Sequence, residues 1–159
     1  MSTIELFFSG IRKGDLQGLE SLLKDDPKFL MSKDERGSTP LILASYYNHK
    51  SIVGFLIEKG VPIDEKDASG NTALMGVCFK GYTEIAIQLI NLGADVNHVN
   101  AMGATCLIYA ATFNRLDIAK ILLEHGADLT TKDARGNTAL DYAKMQDSKP
   151  LIQLFEKYK

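Results

Sequence analysis

Three histidines, two cysteines and a ladder of aspartates carry whatever chemistry this sequence could perform. Catalysis needs a nucleophile or general base held by a partner that orients it. Cys78 and Cys106 lie 28 residues apart, a spacing of neither a zinc site nor a redox pair. Neither has an adjacent basic residue to lower its thiol pKa, so both read as small buried fillers. Asp34, Asp67, Asp95, Asp128 and Asp133 recur singly and do not pair for acid–base work. The glycines are dispersed and never cluster as in a phosphate-binding G-x-x-x-x-G-K loop. Arg12-Lys13 and the lysines at 157 and 159 are too few and too distant for a nucleic-acid track. The expectation is a chain with no catalytic residue, no metal site and no cofactor.

The elements that position these side chains repeat. Gly37-Ser38-Thr39-Pro40-Leu41 returns as Gly70-Asn71-Thr72-Ala73-Leu74, as Gly103-Ala104-Thr105-Cys106-Leu107 and as Gly136-Asn137-Thr138-Ala139-Leu140, each step being 33 residues. Gly60, Gly93 and Gly126 mark the far end of the units at the same interval of 33. A period of this length marks a stack of supersecondary units. Each unit opens with Asp34, Asp67, Asn100 or Asp133, and the Gly three residues later supplies φ > 0 for a turn. The following Thr is a natural N-cap, and Pro40 falls at a first helical position, where its missing N–H costs nothing. A short apolar helix runs to a break at Asn48, Gly81, Asn114 or Asp147. A second helix follows with apolar residues at 3–4 spacing, such as Ile52, Val53, Leu56 and Ile57, and a Gly closes it. His49, His98 and His125 occupy three different phases of this period, so stacking does not gather them.

The ends depart from the pattern. Residues 1–33 form a weaker copy with a helix pair, no preceding finger and one extra residue in the connecting loop. Pro150 sets the start of a last helix with Leu151, Ile152, Leu154 and Phe155 inward and Gln153, Glu156, Lys157 and Lys159 outward. Stacked repeats need such polar-faced ends. The expected organisation is one domain over 1–159: an N-terminal cap (1–33), repeats at 34–66, 67–99 and 100–132, and a C-terminal capping repeat at 133–159.

Composition bounds the rest. At 159 residues, with 45% hydrophobic and 24% charged residues, the chain reads as one ordinary globular domain. A formal charge of −2 gives no bulk attraction to nucleic acid or anionic membrane. No apolar run approaches the ~20 residues of a membrane span, and the N-terminus lacks the basic segment of a secretory signal. Two free thiols fit a reducing, cytoplasmic setting.

The unit D-x-x-G-x-T-(P/A)-L-x-x-A, a break, then a helix ending L-(I/L)-x-x-G-A-D-(V/L)-N resembles the ankyrin repeat, and Gly93-Ala94-Asp95-Val96-Asn97 is its most faithful stretch. The resemblance covers residues 34–159 and implies an all-α solenoid of helix-turn-helix units with β-hairpin or loop fingers. Cys106 stands where the family has Pro. The family commonly has His two residues after that Pro, and here the sites hold Ile42, Met75, Ile108 and Asp141. The hydrogen bonds that this His makes to the loops must therefore be replaced or missing.

The resemblance also implies a concave face built from finger tips and first helices, where partners usually bind. The pairs before each break read Arg12-Lys13, Tyr46-Tyr47, Phe79-Lys80, Thr112-Phe113 and Met145-Gln146. Packed helices lie about 8–10 Å apart, so these pairs form a stripe of aromatic and cationic groups. The finger tips add Arg36, Met102 and Arg135. Tyr and Arg dominate binding hot spots, and the stripe suggests a partner face with apolar anchors and some acidic residues. Aromatics at helical spacing are also commonly core, so Phe79 and Phe113 could instead seal the gap between repeats. The expected function is a protein-binding adaptor, monomeric when unbound, that takes no nucleic acid and no membrane. The alternative is a stand-alone regulator or inhibitor of a partner enzyme. In kinase inhibitors of this style the first helix of the second repeat is typically disturbed, whereas Thr72 to Lys80 reads here as intact.

Overall fold

A computed structural model describes residues 1–159. Ten α-helices follow in pairs: α1 (Thr3–Lys13) with α2 (Leu16–Asp25), α3 (Pro40–Tyr46) with α4 (Lys50–Glu58), α5 (Ala73–Lys80) with α6 (Thr83–Asn91), α7 (Cys106–Thr112) with α8 (Leu116–Glu124), and α9 (Ala139–Met145) with α10 (Lys149–Lys157). The first helices α1, α3, α5, α7 and α9 pack side by side as one layer, and α4, α6, α8 and α10 stack behind them as a second.

Ser2 caps α1, and each of the other four first helices begins where its threonine puts it. Thr39 Oγ1 accepts from the Ile42 N–H at 3.1 Å, Thr72 from Met75 at 3.3 Å, Thr105 from Ile108 at 3.2 Å and Thr138 from Asp141 at 3.2 Å. Each bond satisfies one of the orphan donors of a helix start. The breaks take the left-handed conformation: Gly14 and Gly81 without cost, Asn48, Asn114 and Asp147 as the side chains that best tolerate it. In α3, Leu41 to Ser45 are all buried, because this layer is covered on both flanks and from behind. The second helices are one-sided: in α8, Ile118, Ala119, Leu122 and Leu123 are buried, while Asp117, Lys120 and Glu124 are exposed. The result is one apolar core of 38 buried residues running the length of the stack. Burying a Leu- or Phe-sized side chain in it contributes about 1.5–3 kcal/mol.

The fingers are turns and carry no strand, which narrows the expected hairpin-or-loop. The opening Asx side chain explains this. Asp34 Oδ1 accepts from the N–H groups of both Arg36 and Ser38 at 2.9 Å, and Asp67, Asn100 and Asp133 do the same two and four residues on. The side chain thus takes donors that a ladder would use. Neighbouring tips are joined by one backbone bond each: Ala68 N–H to Arg36 O, Ala101 N–H to Ser69 O, and Ala134 N–H to Met102 O.

The long loop of the first unit has a structural use. Residues Pro27–Met31 form a 3-10 turn, and it lays Phe29 on Phe7 with ring centroids 5.4 Å apart. At the other end Leu151, Leu154 and Phe155 of α10 are buried, while its remaining residues, other than partly buried Ile152, face solvent.

Candidate functional site

The stripe forms on the exposed ends of the first helices. Tyr46 and Tyr47 close α3 with their rings edge to face at 5.8 Å. Lys80, at the end of α5, holds Nζ 4.9 Å from the Tyr46 ring and 5.8 Å from that of Tyr82. Its neighbour Phe79 meets Phe113, just after α7, edge to face at 4.7 Å. Phe113 also leans on Tyr109 at 6.4 Å. The aromatic groups of three consecutive units therefore join into one surface.

The four rings are partly open to solvent. Tyr46 is 41% exposed, Tyr47 44%, Phe79 39% and Phe113 37%. Each side chain is therefore partly packed and partly accessible. Met102 on its finger tip and Met145 at the end of α9 stand further out, at 61% and 64%. Arg12, Lys13, Arg36 and Arg135 are exposed, and Lys80 is half-buried under its own cation–π contacts. Thr112 is half-buried, and its hydroxyl donates to the Ile108 carbonyl at 2.8 Å, so it turns inward.

The elements on either side of the stripe hold it rigidly. Arg12 reaches from the end of α1 to Asp34 at the base of the next finger, 3.6 Å away. Gln146 donates to the carbonyls of Ala111 and Thr112, which ties the Met145 end to α7. At the second-helix start, His49 Nε2 lies 2.9 Å from the Arg12 carbonyl oxygen, and Arg115 donates to the Phe79 carbonyl at 3.0 Å. A Cβ on Gly14 or Gly81 would sit 2.8–2.9 Å from those same two side chains. Glycine at one break thus makes room for a long side chain in the next unit.

The missing family histidines are replaced in two ways that the sequence reading did not anticipate. Tyr109 and Tyr142, 33 residues apart, accept and donate at the finger bases: Asn100 Nδ2 donates to the Tyr109 hydroxyl at 2.9 Å, and the Tyr142 hydroxyl donates to Asp133. His98 Nε2 lies 2.9 Å from the carbonyl oxygen of Gly70 in the preceding finger. The recurrence of Tyr at one phase was the available signal. Tyr109 further links the finger base to the aromatic stripe through Phe113.

The chemistry-bearing side chains stay dispersed. Each histidine is bonded to a backbone carbonyl, His125 through Nδ1 to Ile121 at 2.9 Å. No three or more His, Cys, Asp or Glu side chains come together as metal ligands. Cys78 and Cys106, distant in sequence, are neighbours in the core and wholly buried. A hydrogen bond with Cys78, together with burial, pushes the Cys106 thiol well above its ordinary value, which keeps it protonated and unreactive. Asp133 is held below the usual carboxylate range. Burial alone would raise it, but the Tyr142 hydroxyl and the Asn137 and Arg135 N–H groups outweigh that. Asp141 is lowered by the Thr138 backbone N–H and hydroxyl in a capping box. No helix is long and apolar enough to cross a membrane.

Comparison with known proteins agrees with this architecture. A stretch of 56 residues is 39% identical to protein fem-1 homolog C of Xenopus laevis and covers 33% of this chain but 9% of that protein. The family model for ankyrin repeats (3 copies) matches twice, over residues 7–100 and 74–158, and so spans nearly the whole stack. The paired helices, Thr caps, Asx-closed fingers and these matches place the chain in the ankyrin repeat family, whose repeats are general protein–protein interaction modules.

Proposed function

We propose that this chain is a non-catalytic adaptor that binds one protein partner across its finger tips and first-helix ends. The observation that carries the reading is the joined, half-exposed aromatic surface of Tyr46, Tyr47, Phe79 and Phe113. Exposed apolar surface of this kind, contiguous and rimmed by charge, marks an interaction site more often than scattered exposure does. Rigid aromatics also lose little side-chain entropy on binding, which suits them as anchors. Arg12, Lys13, Arg36, Lys80, Met102, Arg135 and Met145 form the rim, and Thr112, with its hydroxyl bonded inward and its carbonyl taken by Gln146, contributes little. The unbound protein is monomeric in this reading, and its two buried free thiols suit a reducing, cytoplasmic setting.

The alternative reading is a stand-alone regulator or inhibitor of a partner enzyme, and the regular helix α5 from Ala73 to Lys80 counts against its kinase-inhibiting form alone. The test is a cross-linked pull-down with the parent and a Tyr46→Ser/Tyr47→Ser/Phe113→Ser variant, each first checked for helical circular dichroism. One partner captured by the parent alone, with cross-links on the tips and first helices, is the expected result. Equal capture by a folded variant would refute the assignment of this face.

A further inference from the structure

We propose that the partner segment is an extended acidic peptide carrying one aromatic or aliphatic anchor; this deepens the adaptor reading and rests on it. The argument is one of charge placement. The chain as a whole carries a formal charge of −2, yet the tips and helix ends of this face present Arg12, Lys13, Arg36, Lys80 and Arg135. The carboxylates nearby keep their charge but are drawn into the turns and the cap of α9, where they are only partly exposed. Asp34 gives Oδ1 to two backbone N–H groups and Oδ2 to Arg12. Asp67 Oδ1 takes two N–H groups, Asp133 takes two and the Tyr142 hydroxyl, and Asp141 closes the cap of α9. Glu35 is the one free carboxylate among the tips. Of the five cations, Arg12 alone is in an ion pair.

The anchor has a defined seat. Phe79 and Phe113 meet edge to face in the middle of the row, with Tyr109 on one side and Lys80 over Tyr46 on the other. Arg36 and Arg135 stand on the first and last fingers, three units apart. At about 10 Å per unit that separation is roughly 30 Å, which an extended segment of about nine or ten residues spans. Such a segment places one apolar side chain centrally, with carboxylates toward the cations on both flanks. Single-stranded nucleic acid also pairs phosphates with cations and bases with aromatics, but the five cations leave the fourth unit without one and give it no continuous track, and Glu35 interrupts the row.

The test selects binders from a displayed library of random peptides about twelve residues long, a length that covers the span. The library is panned in parallel on the parent, on a Phe79→Ser/Phe113→Ser variant and on a Lys80→Glu/Arg135→Glu variant, all confirmed folded. Peptides enriched by the parent alone, rich in Asp and Glu about one aromatic or aliphatic residue, are expected. Their affinity should fall about tenfold or more on charge reversal and weaken with added salt. Neutral or basic peptides that need Phe79 and Phe113 but ignore charge reversal would overturn the acidic partner and leave the adaptor face standing. Peptides that bind parent and phenylalanine variant alike would overturn both. Failure to enrich any peptide would overturn the linear-segment inference, leaving only a folded partner for the face. A labelled oligothymidylate forms the last arm: binding through Lys80 and Phe113 would replace the acidic peptide with a nucleic acid.

Discussion

The first two fingers and the last two share one turn but differ in what fastens them to the stack. Asp34 and Asp67 close their turns with two backbone N–H groups each, and the positions on their helices that would face them hold Leu43 and Gly76. Asn100 and Asp133 close identical turns and are bonded in addition to Tyr109 and Tyr142 from their own helices. The first finger is held instead from the preceding unit, by Arg12. The second is held from the following one, by the Ala101 N–H on Ser69 O and the His98 ring on Gly70 O. All four fingers are thus tied to a neighbour, the second and third also through Asn100 Nδ2 on Asn71 Oδ1 at 2.9 Å, and those in the C-terminal half are held in addition by their own helix. A repeat fold tolerates this because stability is a sum of intrinsic and nearest-neighbour terms.

The largest test of that contrast replaces the turn glycines. Gly70 and Gly136 both have φ of +81°, so alanine at either costs about 1–2 kcal/mol in backbone strain. A Cβ at Gly70 also falls 2.9 Å from the Ala101 nitrogen, whereas at Gly136 nothing lies within 4 Å. Gly70→Ala should therefore destabilise by about 1–3 kcal/mol more than Gly136→Ala, the usual cost of overpacking, as read from urea midpoints. Equal losses would show that finger-to-finger contact carries little energy.

Removing the tyrosine hydroxyls comes next. Tyr109→Phe and Tyr142→Phe should each lose about 1 kcal/mol, the ordinary net value of a hydrogen bond. Hydrogen exchange should then quicken at the finger N–H groups of Met102 and Ala104, or of Arg135 and Asn137, while those of Arg36 and Ser38 are unchanged. Spread of the effect to the first finger would show that the tyrosine bonds act beyond their own fingers.

The same contacts give the last finger an acid dependence. Asp133 and Asp141 have folded values below the unfolded value of about 3.9. A depressed carboxylate contributes stability that is complete above the unfolded value and is lost as pH falls through the folded one. Exchange protection at Arg135 and Asn137 should hold at pH 5, begin to weaken only below about pH 4 and be lost as pH falls through the lowered Asp133 value, and Asp133→Asn should flatten that loss. Tyr142 is raised, first by its bond to Asp133, so its contribution holds below about pH 10 and disappears as pH rises through the folded value. The smallest effect is expected for Arg12→Ala. The pair with Asp34 lies at the surface on its arginine side, and such pairs contribute about 0.2–1 kcal/mol. High salt should erase the difference.

Much of this architecture is legible in the residues. The threonines cap helices, the glycines and asparagines sit at left-handed breaks, and the interval of 33 fixes the units, because these are local requirements of backbone geometry. Among the residues read as a partner face, Arg12, Lys13, Arg36, Tyr46, Tyr47, Phe79, Met102, Phe113, Arg135 and Met145 are exposed and Lys80 is half-buried. Thr112 turned inward, since a threonine late in a helix bonds back to the carbonyl four residues earlier. The anchoring tyrosines lie one residue beyond the family histidine position, and only the packing of helix against finger brings their hydroxyls to Asn100 and Asp133.

By itself the sequence determined the helices, their order and their repeat, because capping, left-handed φ and apolar spacing act over a few residues. Tertiary structure alone decided which side chains meet across units: Phe79 with Phe113, Lys80 over Tyr46, Cys78 beside Cys106, His98 on Gly70. Those pairs lie 28–34 residues apart in the chain. Their contacts depend on the distance and rotation between stacked helices, which the packing of the whole core sets and no local pattern encodes.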